Sequence, residues 1–405
     1  MKNKRIIKYG GAVTNLLEER AIIKSIRNSR KTRNWQEAEE GKLFSAEVAK
    51  FLGVKYGILT NSGSSAGLLA LSALELPKGS EVIISAVTFP TIFNIILQCG
   101  LIPVVVDAKV GTYGFDVEDV LKAITPKTRA IIAIHPLGNP VDMPELMKLV
   151  KKYDQKIWVL EDNCDGWGST IGKKKVGSLG DVSITSFHAA HIVSMGVGGG
   201  IFTNDKGIAQ KVRMYRDWGR QADINKSENK KHKTLPQDYN PRFIYEKIGY
   251  NFQILELQAA MGRVQLRKIQ QIKKARTDNF NYLYSHLEEI HYNDQDWEYV
   301  HAFTMPKAVK NADVCWFAFP LTYHGNRGEL LRHLEKNGIE TRPLFSGNIS
   351  KHPAYAKSKF KISGKLKGAD YITEHSFWVS LHPSLTKSDL EYIVKVFKNF
   401  FNGKQ

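Results

Sequence analysis

Cysteine is scarce: three thiols, Cys99, Cys164 and Cys315, in 405 residues. They lie far apart with no C-x-x-C pair, which excludes a disulfide-built scaffold and a paired-thiol redox motif. Three thiols in one chain also fall short of the four that a [2Fe–2S] cluster takes, so no iron–sulfur cluster and no metal site is expected. Long apolar runs are missing too. The opening Met1-Lys2-Asn3-Lys4-Arg5 leads into no apolar core of signal-peptide length, and no later run reaches the roughly 18 residues of a membrane span. No membrane partner is expected, and a cytoplasmic location follows by default. Acidic charge is in deficit, with 40 Asp and Glu against 58 Lys and Arg, a net charge of +18. Such a balance can mark a nucleic-acid surface. Here the lysines are spread along the chain, the densest cluster (Lys226, Lys230, Lys231, Lys233) sits in a polar stretch, and no zinc-finger or RNA-binding aromatic motif accompanies them. A solvated basic exterior that attracts an anionic small molecule is the plainer reading, with no nucleic-acid partner.

What is present describes a globular α/β chain. Hydrophobic residues make up 42% and charged residues 24%, the proportions of an ordinary folded protein. The length suits two lobes, expected at 1–275 and 276–405, the first with the N-terminal segment and the second a smaller α+β unit. Short apolar runs read as strands at Tyr56–Thr60, Glu81–Ser85, Pro103–Asp107, Ala130–His135, Ile157–Glu161, Val182–Ser186 and Gly200–Thr203. Helical spacing separates them, as at Ser65–Leu74 and Met143–Tyr153. Several strands end in polar residues (Asn61, Thr88, His135, Asp162, His188), and in open α/β sheets ligands bind at such carboxyl ends. The polar stretch 221–240 reads as a long loop, Leu255–Arg276 as a helix, Val314–Pro320 as a strand, and Arg327–Asn337 and Ser388–Phe401 as helices.

Three motifs carry chemistry. Ser62-Gly63-Ser64-Ser65 lies between a strand and a helix, where small residues and free N–H groups can close around a phosphate; an ordinary serine N-cap is the bland alternative. Glu161-Asp162-Asn163-Cys164-Asp165 ends a strand, where capping the next helix is the commoner role of a carboxylate. Ser186-Phe187-His188-Ala189-Ala190-His191 leads into Gly196-Val197-Gly198-Gly199. A histidine in a glycine-rich loop is more often structural than catalytic, although its usual pKa suits proton transfer.

Together these motifs closely resemble the DegT/DnrJ/EryC1/StrS family of sugar aminotransferases. The resemblance implies an α/β fold of the PLP-dependent transferase type (aspartate aminotransferase-like, fold type I), with a mixed seven-stranded sheet and a smaller C-terminal α+β lobe. It implies pyridoxal phosphate (PLP) or its amine form (PMP) as cofactor. Gly63, Ser64, Ser65 and Ser186 would hold the phosphate, Asp162 the ring nitrogen and Phe89 a ring face. Asp165 is a weaker ring contact, since relatives often carry Gln there. Asn251 matches an asparagine that a second subunit contributes, so a homodimer with shared active sites is implied.

The family's cofactor-binding lysine is His191 here. An imidazole cannot form that covalent link. The exchange resembles the branch of PLP-dependent sugar 3-dehydratases, which act on a nucleotide-linked 4-keto-6-deoxyhexose, and it implies His191 as the proton-transfer group. Arg216-Asp217-Trp218-Gly219-Arg220 resembles the iron–sulfur subtype of that branch, yet Gln221–Asn225 stands where that subtype has cysteines. A cluster-free enzyme using glutamate as amine donor is therefore expected, with Arg216, Arg220 and Arg342 as candidates for the donor carboxylate or substrate. Val197 and Ile192 also depart from the relatives, which usually have Glu and often a second His. Two rivals remain: an aminotransferase using Lys173, Lys174 or Lys175, and a catalytically silent binding module. The nucleotide and hexose stay open.

Overall fold

The computed structural model describes residues 5–220, 234–236, 238–293 and 299–402. The polar stretch 221–240 and the Gln221–Asn225 run lie largely or wholly outside them.

The centre is a mixed sheet built from β1 (Tyr56–Thr60), β2 (Glu81–Ser85), β3 (Ile102–Val106), β4 (Thr128–Ile134), β5 (Trp158–Asp162), β6 (Val182–Ser186) and β7 (Gly199–Thr203). These match the seven expected strands to within a residue or two. The spatial order is β1-β7-β6-β5-β4-β2-β3, and a two-residue strand, Lys361–Ile362, adds to β3 as an eighth member. Pairing is parallel from β3 through β6, whereas β7 runs antiparallel to both β6 and β1. Strand β2, Glu-Val-Ile-Ile-Ser, is buried along its whole length, as expected of a parallel strand covered on both faces by helices.

Register decides where the site forms. Ile134 pairs with Asp162 and Asp162 with Ile184, so the carboxyl ends of β4, β5 and β6 align. Because β7 is reversed, its start lies at that same end, with Gly199 opposite both Thr60 and Ser186. The loop 187–198 must therefore leave and re-enter at the carboxyl edge. Gly199 is required there: an added Cβ would lie 2.3 Å from the Ser62 carbonyl oxygen, closer than any real contact.

Helix α3 (Gly63–Ala73) begins where β1 ends. Ser62 caps it, its Oγ accepting from Ser65 N at 3.0 Å, a cap that contributes about 1 kcal/mol. Ala66, Leu69, Ala70 and Ala73 form its buried face and pack in the main core with Ile92, Phe93 and Ile96 of α4 (Pro90–Gln98). Burying a side chain such as Phe93 stabilises the fold by roughly 1.5–3 kcal/mol.

The C-terminal core gathers α9 (Ile269–Leu287), the strands Ala318–Tyr323 and Ser376–Ser380, and the helices Arg327–Lys336 and Lys387–Asn402. The division expected at 275/276 falls inside α9, Ile7 packs into the C-terminal core, and Ile349, Tyr355, Ala369 and Ile372 pack into the main core. Two further details differ from the sequence reading. The single helix expected over Leu255–Arg276 is two helices, α8 (Glu256–Arg267) and α9, separated at Lys268. The strand expected at Val314–Pro320 begins only at Ala318, because Val314 and Trp316 are buried without joining the ladder. Among the described residues no helix is long and apolar enough to cross a membrane.

Candidate active site

At the carboxyl edge of the sheet, three backbone segments converge. The first N–H groups of a helix have no intrahelical partner. In α3 the Ser65 N–H goes to Ser62 Oγ, and Ser65 Oγ lies 2.9 Å from the same atom. The N–H groups of Gly63 and Ser64 are left for an incoming anion. Ser186 closes the opposite wall: a Cβ on Gly63 would lie 2.7 Å from the Ser186 Cβ. Ser64 Oγ meets Thr91 Oγ1 at 2.8 Å. The cradle is small, polar and made largely of backbone, suited to a phosphate.

Asp162 ends β5 and is 7% exposed. Its Oδ1 accepts Cys164 N–H at 3.1 Å, and no cation pairs with it among the described residues. Burial pushes its carboxyl up, the Cys164 hydrogen bonds oppose that, and the Asp165 charge adds to it. Its strand neighbour Glu161 serves the structure instead. Glu161 accepts from Gly177, Leu179 and Gly180 N–H and meets His135 Nε2 at 3.2 Å. His135, at the end of β4, is thus a buried partner of Glu161. Alternation along the strand turns one acid to the fold and the other to the site.

The loop 187–198 is pinned from below. Phe187 N–H donates to Gly198 O and Met195 N–H to Phe187 O, each at 2.9 Å, while Phe187, Ile192, Val193 and Met195 are buried against Phe44 and Trp167. Ile192, where relatives often have a second histidine, is a core side chain. His191 sits on the other side of this anchor. Its Nδ1 lies 3.3 Å from Asp165 Oδ1, out of line for a hydrogen bond, and its ring is 5.8 Å from that of Phe317.

The remaining candidates divide. Phe89 caps the start of α4 with its side chain 55% exposed, an aromatic face left open. Asn251 is exposed on a segment whose Phe252 carbonyl accepts Asn61 N–H at 2.9 Å, beside the cradle. Arg342 stacks 4.0 Å from the Tyr9 ring centroid. Tyr9, Trp378, Phe317 and His191 then form a chain of ring contacts of 5.8–5.9 Å that connects Arg342 to His191 through three intervening rings. Arg216 is 7% exposed, and its guanidinium is taken by Glu37, Asp217 and the Leu59 carbonyl. That corrects its sequence-based role: the fork is committed to the fold, with nothing left for a donor carboxylate. Arg220 lies over Trp218 at 4.9 Å. Both arginines line a cleft of about 640 Å³ that reaches Lys55 and Tyr56, toward the opposite end of β1.

Sequence reasoning missed Tyr9, Phe317, Trp378 and the buried Arg276 beneath Phe317. Arg276 did carry a signal, since it falls on the stripe Ile269, Ile272, Arg276, Asn279, Leu283 that α9 buries.

A phosphate cradle, a buried carboxylate without a cation and an open aromatic ring fit a phosphorylated, nitrogen-bearing aromatic group such as pyridoxal phosphate. The comparisons decide the kinship. Residues 17–398 match the model of the DegT/DnrJ/EryC1/StrS aminotransferase family. The chain belongs to that family. It is 36% identical to the lipopolysaccharide biosynthesis protein RfbH of Salmonella typhimurium, over 88% of this chain and 84% of that protein. It is 35% identical to the dTDP-4-dehydro-2,6-dideoxy-D-glucose 3-dehydratase of Saccharopolyspora spinosa, covering 88% and 79%. A GDP-perosamine synthase of Caulobacter vibrioides is 28% identical, covering 87% of each chain. The crystal structure of a GDP-4-keto-6-deoxymannose-3-dehydratase with a trapped PLP–glutamate geminal diamine superposes with a TM-score of 0.86 at 25% identity, over 96% and 100%. This member therefore has the α/β fold of PLP-dependent sugar-modifying enzymes.

Proposed function

We propose that this protein is a cytoplasmic, homodimeric, PLP/PMP-dependent 3-dehydratase that removes the C3 hydroxyl of a nucleotide-linked 4-keto-6-deoxyhexose, with glutamate as amine donor. The observation that carries the reading is His191, an imidazole where family aminotransferases have lysine, set beside Asp165 at the same sheet edge as Ser186 and Asp162. When bound, the cofactor supplies an electron sink conjugated to the substrate.

The chain's own residues supply the rest. Gly63, Ser64, Ser65 and Ser186 bind the phosphate, with Asn251 reaching it from a second subunit. Asp162 holds a proton at the ring nitrogen, a charge-assisted contact that also relieves its own burial cost. Phe89 covers a ring face. His191 accepts a proton and, once protonated, can give it to the departing hydroxyl, which leaves poorly without an acid. Lacking a covalent tether, the cofactor depends on these contacts alone. Three thiols, with Cys315 buried, make this a cluster-free reading.

An aminotransferase is the second reading, favoured by the perosamine synthase relative. It needs an amine at the cofactor. Lys173 and Lys174 are exposed around the short hairpin Thr170–Lys175, and Lys175 Nζ lies 4.7 Å over the Phe51 ring. Borohydride reduction with peptide mapping separates the two: phosphopyridoxyl-lysine would establish the second. The dehydratase reading expects C3-deoxygenated product, with PLP and glutamate present, from at least one member of a panel of CDP-, GDP-, dTDP- and UDP-4-keto-6-deoxyhexoses, read by mass spectrometry. His191→Asn should lower that turnover by about 10²–10⁴-fold.

A further inference from the structure

Two acids stand three residues apart after β5, and one suffices for a ring nitrogen. Their neighbours differ. Asp162 faces the Cys164 N–H. Asp165, 6% exposed, accepts Leu137 N–H on Oδ2 at 3.3 Å and sets Oδ1 3.3 Å from His191 Nδ1. That nitrogen is buried without a hydrogen bond, while 19% of the side chain stays exposed. The rest of the imidazole is bounded by rings: Phe317 at 5.8 Å, tilted 48°, and the His188 ring at 6.3 Å, nearly edge-on.

Below them α9 contributes a buried charge. Arg276 is 2% exposed; its Nη1 donates to the Phe317 carbonyl, its guanidinium lies 5.5 Å from the Phe317 ring centroid, and its Nε has no partner. No carboxylate pairs with it directly among the described residues. Asp165 lies within its electrostatic reach, together with Cys315, and burial pushes the guanidinium pKa down. Arginine nonetheless stays charged in proteins.

A neutral imidazole carries its proton on one nitrogen and accepts on the other, and the partner of the first selects the form. We infer that Asp165 is a positioning residue that fixes His191 in the Nδ1–H form, leaving Nε2 to take the proton. This rests on the reading of His191 as the proton-transfer group, and it reassigns Asp165 from the cofactor ring to the histidine. Catalytic hydrogen bonds are often long or misaligned before a site is filled and tighten when it is, which accounts for a close but unaligned contact.

Asp165→Asn tests the assignment because the outcome follows from Leu137. Its N–H requires an oxygen, so the amide oxygen turns there and the NH₂ faces His191 Nδ1. The NH₂ then donates to Nδ1, and the ring proton must move to Nε2. NMR of the full-length protein with isotope-labelled histidine, with His191 assigned by subtraction against His191→Asn, reads this directly. Wild type should show Nδ1–H, Asp165→Asn should show Nε2–H, and Asp165→Glu should recover Nδ1–H.

With PLP, glutamate and substrate, Asp165→Asn should lose about 10²–10⁴-fold in turnover, while KM and PLP affinity stay within about threefold. An Nε2–H wild type, or an unchanged tautomer in Asp165→Asn, overturns the inference. A more than tenfold loss of PLP affinity in Asp165→Asn returns that acid to the cofactor ring. An inverted tautomer with full turnover leaves the positioning role intact and instead removes His191 as the base.

Discussion

Two charged clusters in this chain behave in opposite ways. At the carboxyl edge of the sheet, polar groups are left open: among the described residues Asp162 has no cation, His191 Nδ1 no hydrogen bond, and the cradle N–H groups of Gly63 and Ser64 are available to an anion. Around Arg216, everything is closed. One guanidinium spans Glu37, Asp217 and the Leu59 carbonyl, and Gln253 adds a 2.7 Å hydrogen bond to Asp217. A buried polar group without a partner costs on the order of 1–3 kcal/mol. Where several such groups gather at one edge, a ligand that satisfies them relieves that cost. Openness, more than charge, marks the functional cluster.

The largest effect expected belongs to the closed cluster. Arg216→Met strips Glu37 and Asp217 of their guanidinium and should lower stability by about 3–5 kcal/mol, seen as a large drop in Tm. Arg216→Lys should recover only part of this, since an ammonium cannot make the fork. Arg220→Met should cost less than about 1 kcal/mol, because Arg220 is stacked on Trp218 and has no ion pair among the described residues. An Arg216→Met protein of native stability that no longer reacts with glutamate would move that arginine into the open cluster.

Asp162→Asn tests the open side, with stability and affinity moving in opposite directions. Burial raises the Asp162 pKa in the folded protein. Its contribution to stability is thus full below the unfolded value, near 3.9, and is lost as pH rises through the folded value. Ionising this buried carboxyl in the cofactor-free protein carries a desolvation cost that an amide does not have. The substitution should therefore stabilise the cofactor-free protein by about 1 kcal/mol at neutral pH, the gain shrinking on acidification toward pH 4. Affinity for PLP should fall by about 2 kcal/mol, the range of a charged hydrogen bond. Chemical denaturation at several pH values and absorbance titration read the two halves. A variant less stable than wild type at neutral pH would contradict the open-charge reading.

Much of this contrast is legible along the chain, and the rest fails for physical reasons. Runs such as Val82-Ile83-Ile84 locate the strands, because a parallel strand buried on both faces must be apolar throughout. The cradle and the acids are local motifs, so their positions at strand ends can be read directly. Arg216 misleads because its partner Glu37 lies 179 residues away, and an arginine's commitments do not show in its neighbours. The Asp165–His191 contact is hidden similarly, since it joins two loops through the register of β5 with β6. Val314–Pro320 reads as a strand because an apolar run reports burial, while pairing begins only at Ala318.

The smallest expected effect concerns Phe89, and it asks whether an open side chain belongs to the ligand or merely to the surface. Phe89 holds the N-cap position of α4 before Pro90 through its backbone, is 55% exposed, and follows Thr88, whose carbonyl accepts Ser346 Oγ at 2.6 Å. So little of it is buried that the core gains little from its presence. If it stacks on the cofactor, the gain is on the order of 1 kcal/mol beyond area burial. Phe89→Ala should thus leave stability within about 0.5 kcal/mol while weakening PLP binding by about fivefold, a factor of that size in free energy, and Phe89→Trp should restore affinity. A loss of stability above about 3 kcal/mol would make the ring a core residue. Unchanged PLP affinity would place it outside the site, and the open cluster would then hold its cofactor through the phosphate cradle and Asp162 alone.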